Sequence, residues 1–385
     1  MRVLLGGIPL GLDNIGDEAI LACVVKMLKD AVPRVQLTVA TADAGTASLL
    51  GVATVPPYGF ADMPFSRQAN VDEFSSLVRQ QDAYVWCGAT GLSDYPDVAL
   101  DLLQAAQKSN VPTFVWGVGM DDELNPVFFQ VHGKKRMVLN CLGLTNWYER
   151  RLRNRLKRRI ACVLPRCQGV WVRDPQSAAM LASMGFSAAG VTADSAILLE
   201  PTKMNQPSRT TKKLGICIST QRQVTDLEGV RGMLDAVRKS GVQVVGIPMN
   251  PKTDRGLLEK LGVECIAGAT PEAVMAAVAD CDAVLSSRLH LLILAANAGT
   301  PILGIARGSK LQNWLANFGR TVEGSVYDCD WKSVTSHVLA QLADRGDWDE
   351  RRKGAYERLF QRFNKAKDDF IGRLSSLETL PSDRF

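Results

Sequence analysis

The chain has 385 residues, of which 46% are hydrophobic and 22% charged, and it carries a formal net charge of +5. That length predicts two domains, each large enough for its own core, and the composition is ordinary for a soluble globular protein. No apolar run reaches the roughly 18 residues of a spanning helix; the nearest, 289–306, is interrupted by His290, Asn297 and Gly299-Thr300-Pro301.

In chain order, short apolar strands alternate with helical segments, the pattern of a parallel sheet with crossover helices. The first strand is expected at 2–6. It runs straight into Asp13 and Asp17, so the N-terminus reads as a strand and not as a targeting peptide. The turn that follows, Gly6-Gly7 through Asn14-Ile15-Gly16-Asp17, opens a helix at 17–30 with Ile20, Leu21, Val24, Val25 and Leu28 at helical spacing. It fits neither G-x-G-x-x-G nor a Walker A loop. Its glycines either let a ligand approach the backbone or only permit the turn, with Asp17 and Glu18 complementing the helix dipole.

Strands follow at 35–40, 83–87 and 113–118, with a helix at 98–108. Two of these strands end in small-residue turns, Cys87-Gly88-Ala89-Thr90-Gly91 and Trp116-Gly117-Val118-Gly119. Each reads equally as a ligand-facing loop or a plain turn. One long basic helix is expected over 136–164, then strands at 169–173 and 189–192. Between them Asp174 caps a helix at 175–184, which Gly185 ends. Arg173, at a strand end, is either a surface ion pair or a guanidinium that holds carboxylate or phosphate in a cleft. Asp194 either caps a turn or faces that cleft.

The polar, Pro-containing run 201–212 is the linker candidate. Beyond it, strands are expected at 214–219, 243–247, 283–287 and 301–305, and helices near 227–239, 271–279, 289–298 and 309–318. A charged helix over 345–376 carries Tyr356, Leu359, Phe360, Phe363 and Phe370 as a docking stripe. The expected fold is α/β, with Rossmann-like domains at 1–205 and 206–345 facing a cleft and a helical extension at 346–385. Ligands of such sheets bind beyond the carboxyl ends of the strands.

The nine Cys include no C-x-x-C and no cluster with His, which predicts reduced thiols, a cytoplasmic location and no metal site. The basic character is local. Between Lys134 and Arg159 there are ten Lys or Arg and one acidic residue, Glu149. The stretch 150–159 is either a solvated helix face or a peripheral contact with an anionic membrane surface. Nucleic acid has no recognition module or aromatic interleaving to support it.

Of the strand-end motifs, Ser286-Ser287-Arg288-Leu289-His290 is the most informative. It lies where an apolar strand gives way to a small-residue helix, so backbone N–H groups and the positive dipole end face outward. An Arg and a His there point to an anionic ligand and to proton transfer. Arg307 and Lys310, at the next strand end, are placed to share that anion. The bland alternative is a core His with a surface Arg. His132 and His337 read as inert.

Taken together, Asn14-Ile-Gly-Asp17-Glu-Ala-Ile-Leu21, Val172-Arg-Asp174-x-x-Ser177, Thr192-Ala-Asp194 and Ser287-Arg-Leu-His290 with Ala295-Ala-x-x-Gly299-x-Pro301 resemble the polysaccharide pyruvyl transferase family, in the family's order. The resemblance implies a two-domain fold similar to GT-B glycosyltransferases. It also implies transfer of pyruvate from phosphoenolpyruvate to a saccharide, lipid-linked or not, giving a cyclic ketal and phosphate with no further cofactor. Carried over by position, Arg288 and His290 match the element that contacts phosphoenolpyruvate, and they are the expected catalytic pair. Ser287, Arg173, Arg307 and Lys310 are the further donor contacts, and Asn14, Asp17, Gly88 and Thr90 the acceptor contacts. The chain departs from the family where it has Cys87-Gly88-Ala89 in place of a glycine triplet. It departs again at Ala306-Arg307-Gly308-Ser309-Lys310, where Tyr-Asp-Pro-Lys is usual and only the Lys is kept. The rival readings are a nucleotide-sugar glycosyltransferase of the same architecture and a saccharide-binding relative without activity.

Overall fold

The computed structural model describes residues 1–43, 45, 50–58, 71–89, 91–122, 124–201, 211–219 and 224–379. The linker candidate 201–212 therefore lies mostly outside the described residues. The chain divides into two compact units, one of residues 1–12, 20–194 and 361–385, the other of residues 13–19 and 195–360. The C-terminal segment, expected to stand as its own extension, contributes to both units.

The first unit is built on a seven-stranded sheet with β1 Arg2–Gly6, β2 Gln36–Ala40, β3 Ala53–Val55, β4 Ala83–Cys87, β5 Thr113–Val118, β6 Gly169–Val172 and β7 Gly190–Val191. All pairings are parallel, in the order β3-β2-β1-β4-β5-β6-β7. That is a Rossmann-like winding, with the order reversing beside β1. β4 and β5 are buried along their whole length, as central strands of a sheet covered on both faces must be.

The second unit holds β8 Lys213–Cys217, β9 Gln243–Gly246, β10 Ala283–Ser286, β11 Ile302–Ala306 and β12 Gly324–Ser325. These are also parallel, in the order β12-β11-β10-β8-β9. Leu214, Ile216, Leu285, Leu303 and Ile305 of this sheet pack against Met233, Leu234, Val237, Val334 and Val338 of two flanking helices. Two parallel Rossmann-like units with a C-terminal helix make this an α/β fold of the GT-B-like kind.

Three differences from the expected elements have local causes. The basic region is two helices, Gly133–Cys141 and Thr145–Val163, because Gly143 turns the chain at φ 64°. β3 and β12, of three and two residues, carry no alternation to detect. The helix Pro251–Lys260 is set by its Asn250 cap and Pro251, not by apolar periodicity.

The expected docking stripe is real. In the C-terminal helix Trp348–Ser375, Phe363 and Phe370 enter the core of the first unit. Phe370 stacks on Trp116 at 4.9 Å and meets Phe114 and Trp171 edge-on at 5.5 and 5.4 Å. In the second unit Trp348 stacks on Phe318 at 5.2 Å, and its indole N–H donates to the Gly299 carbonyl at 2.8 Å. None of the nine cysteines forms a disulfide. No helix among the described residues is long and apolar enough to cross a membrane.

Candidate active site

The second sheet reverses its strand order between β8 and β10, and the carboxyl ends at such a switch point are where these sheets bind ligands. Ser219 and Ser287 sit at those two ends. The Ser219 N–H donates to Ser287 Oγ at 2.9 Å, and both residues are buried. From the end of β11, Arg307 Nη1 donates to Ser219 Oγ at 3.1 Å. One hydrogen-bonded chain thus joins the ends of three adjacent strands.

Arg288 caps the helix Leu289–Asn297 with an extended backbone. The turn is held by Ser286, whose hydroxyl accepts the Arg288 N–H at 2.8 Å. The Arg288 side chain points into a buried pocket, where its Nε and Nη2 donate to the two oxygens of Asp254 at 3.1 and 2.7 Å. Asp254 is fully buried, and its Oδ2 also accepts the Asn250 N–H at 2.9 Å. Burial works against the Arg288 charge, but Asp254 more than offsets it, so the guanidinium pKa is raised. Burial also pushes the Cys217 thiol up, with the Asp254 carboxylate adding to the rise, which keeps this neighbour neutral.

His290 follows in the first turn of the same helix. Its half-buried imidazole packs on the backbone of Gly16, where an added Cβ would collide with the ring. The segment 13–19 reaches this place through the Ile15 N–H, which donates to the Met249 carbonyl at 3.0 Å, and through an Asp13–Lys252 ion pair at 2.6 Å. Asn14 Nδ2 donates to Asp17 at 2.7 Å, and Asp17 is close enough to add to the rise of the Arg288 pKa. Asn14 and Asp17 were expected on the first domain; the contacts of the segment 13–19 group them with His290 and Arg288 instead. Lys310 lies in the first turn of the helix Ser309–Ala316, which begins at Gly308 with a φ of 126° that favours glycine.

We expect Gly16→Ala to force the His290 ring or the helix start aside, at a cost of about 1–3 kcal/mol. Thermal unfolding and the His290 ring resonances measure it. Unchanged stability with an unmoved ring would mean the contact has slack.

The other expected residues belong to the first unit. Arg173 is 6% exposed and reaches Asp174 and Asp194 at 3.4 Å each. Burial opposes its charge, and the two carboxylates overcome that and raise its pKa. Its guanidinium fills the space that a side chain at Gly119 would take, which gives Gly119 a packing reason. Asp174 also caps its helix, accepting the Ser177 N–H at 2.7 Å. Gly88 has a φ of 84°, and Ile20 occupies the place of its missing Cβ, so turn and packing both require the glycine. Thr90 lies outside the described residues.

Sequence reasoning missed Asp254 and Ser219. Ser219 follows the end of β8 by two residues, so the strand-end rule marks it. Asp254 had only one signal, a carboxylate in the capped helix after β9. Among the described residues no group of three or more His, Cys, Asp or Glu could hold a metal ion.

No curated protein matches the chain by sequence. Solved structures with the same fold include the S. aureus MnaA–UDP co-structure, 12% identical, TM-score 0.61, covering 100% of this chain and 98% of that one. The glycotransferase of kitacinnamycin is 12% identical with TM-score 0.60, covering 97% and 99%. UDP-GlcNAc 2-epimerase from Neisseria meningitidis, bound to UDP-GlcNAc, is 13% identical with TM-score 0.58, covering 98% and 100%. At these identities the likeness concerns the fold alone. The polysaccharide pyruvyl transferase model matches residues 14–309, from Asn14 through the turn at Arg288 and His290 to Ser309. The chain therefore belongs to the polysaccharide pyruvyl transferase family, a family of transferases.

Proposed function

We propose that the protein transfers the pyruvyl group of phosphoenolpyruvate to two hydroxyls of a saccharide, forming a cyclic ketal and releasing phosphate. The observation that supports this beyond the family is the fixed turn at the switch point. A buried Asp254 holds Arg288, and the same turn carries His290 and a helix N-terminus. A donor with a carboxylate and a phosphate needs cations and backbone N–H groups.

Asp254 balances much of the Arg288 charge. In this reading Arg288 orients the turn and adds a polar contact, while Arg307, Lys310, Ser287 and the helix N-terminus carry the anion. The donor role expected of Arg173, which Asp174 and Asp194 hold within the first unit, is part of the same proposal. Asn14 and Asp17 bond each other and set the backbone under His290; their acceptor role, with Gly88 and Thr90, is part of the same proposal.

The reaction balances without a cofactor. One hydroxyl proton ends on the methylene carbon of the enol, making the methyl group. The second leaves with phosphate, and two C–O bonds form at the ketal carbon as the C–O bond to phosphate breaks. A His is suited to carry the first proton.

The deciding measurement is phosphate release from phosphoenolpyruvate with saccharide acceptors, beside melting shifts with phosphoenolpyruvate and with a panel of UDP-sugars. Phosphate release and stabilisation by phosphoenolpyruvate are expected. Stabilisation by UDP-sugars alone would assign the site to nucleotide-sugar transfer.

A further inference from the structure

We infer that the outer face of residues 127–158, in the first unit, is a docking surface for an anionic lipid membrane. The observation is a coincidence of two properties in one stretch. Of the eight large hydrophobic side chains exposed among the described residues, six lie here: Val127, Met137, Val138, Leu142, Leu144 and Trp147. The same stretch holds most of the basic cluster.

The helix Gly133–Cys141 buries none of its side chains. Nine residues form a marginal helix in water unless one face is covered, and an exposed apolar patch rimmed by polar groups marks an interaction surface. Met137 and Leu142 are 65% and 62% exposed, more than a folded chain ordinarily leaves in one place.

The next helix, Thr145–Val163, supplies the charge. Leu156, Ile160 and Val163 face inward. Arg159 also stays with the protein, paired to Asp97 and Asp101 at 2.5 Å each. Trp147, Arg151, Asn154 and Arg158 recur at helical spacing on the opposite face, flanked by Arg150 and Lys157. They line an open groove of about 570 Å³. Arg151 sits over the Trp147 ring at 5.7 Å, so the aromatic and the cation present one surface.

This combination selects the occupant. An interfacial tryptophan beside exposed aliphatic residues suits the headgroup boundary, and a row of Arg and Lys suits lipid phosphates. A nucleic acid would use the cations and leave Met137, Val138 and Leu142 in water. A second copy of the chain would bring like charge against like.

The test is co-sedimentation of the full chain with vesicles of equal parts phosphatidylglycerol and phosphatidylcholine, against vesicles of phosphatidylcholine alone. Binding only to the anionic vesicles is expected. Arg150→Gln, Arg151→Gln and Arg158→Gln together should weaken it by about tenfold or more. Leu142→Ser with Trp147→Ser should leave binding at low salt and abolish it at high salt, where screening removes the charge contribution. Unchanged melting of both variants confirms their folding, as exposed positions predict. Failure to bind anionic vesicles overturns the proposal, as does equal binding by the charge variant. A dimer of the full chain that dissociates on Leu142→Ser with Trp147→Ser overturns it in favour of a second copy.

Discussion

Asp254→Ala is expected to destabilise the protein by about 3–5 kcal/mol, the usual cost of leaving one partner of a buried ion pair alone. Asp254 has no exposed surface, and Arg288 is 9% exposed. Removal of the carboxylate strands a guanidinium that water reaches poorly. It also removes the acceptor of the Asn250 N–H, and so loosens the cap of the helix Pro251–Lys260. The urea midpoint should fall without a change in slope. The pair itself need not be stabilising. Arg288→Met with Asp254→Leu fills similar volume without charge and should recover most of the loss, because the desolvation penalty disappears with the attraction. A single-variant loss below about 1 kcal/mol would place the pair among ordinary exposed ion pairs and remove the anchor of the site.

That anchor explains what the sequence could and could not convey. β4, β5, β8 and β10 are legible because a strand buried on both faces must be a continuous apolar run. The strand-end rule then marks Ser287, Arg288, His290 and Arg307 without a structure. It cannot pair Arg288 with Asp254, since the two lie 34 residues apart and only the fold brings them together. The same limit applies to Asn14 and Asp17. By chain order they follow β1 and read as part of the first sheet's first loop. The Ile15–Met249 backbone bond, the Asp13–Lys252 ion pair and the packing of His290 on Gly16, all invisible in composition, tie them to the other unit. The break at Gly143 was legible in principle, but the basic run on both sides of it looks the same in either arrangement. Gly88 and Gly119 show the converse. The small-residue turns at these strand ends read equally as ligand-facing loops or plain turns, and at both positions a protein side chain, Ile20 or Arg173, stands in the space a Cβ would take.

The largest effect on turnover is expected from His290→Ala. If His290 moves the proton that converts the enol methylene to a methyl group, its loss should lower phosphate release by about 10²–10⁴-fold, the usual contribution of a positioned acid or base. Stability should change far less, because the ring is half-buried and packs on Gly16 from one side. The change should appear mainly in kcat, since Arg307, Lys310 and the helix N-terminus still hold the anion in this reading. His290→Gln separates chemistry from packing. It fills much of the same space and can hydrogen-bond, but cannot carry a proton near neutral pH, so it should be as slow as His290→Ala. Near-normal turnover in His290→Ala would move the proton transfer to another group and leave His290 as a packing residue on Gly16. If His290→Gln were active and His290→Ala were not, the imidazole would matter for its shape and not for its proton.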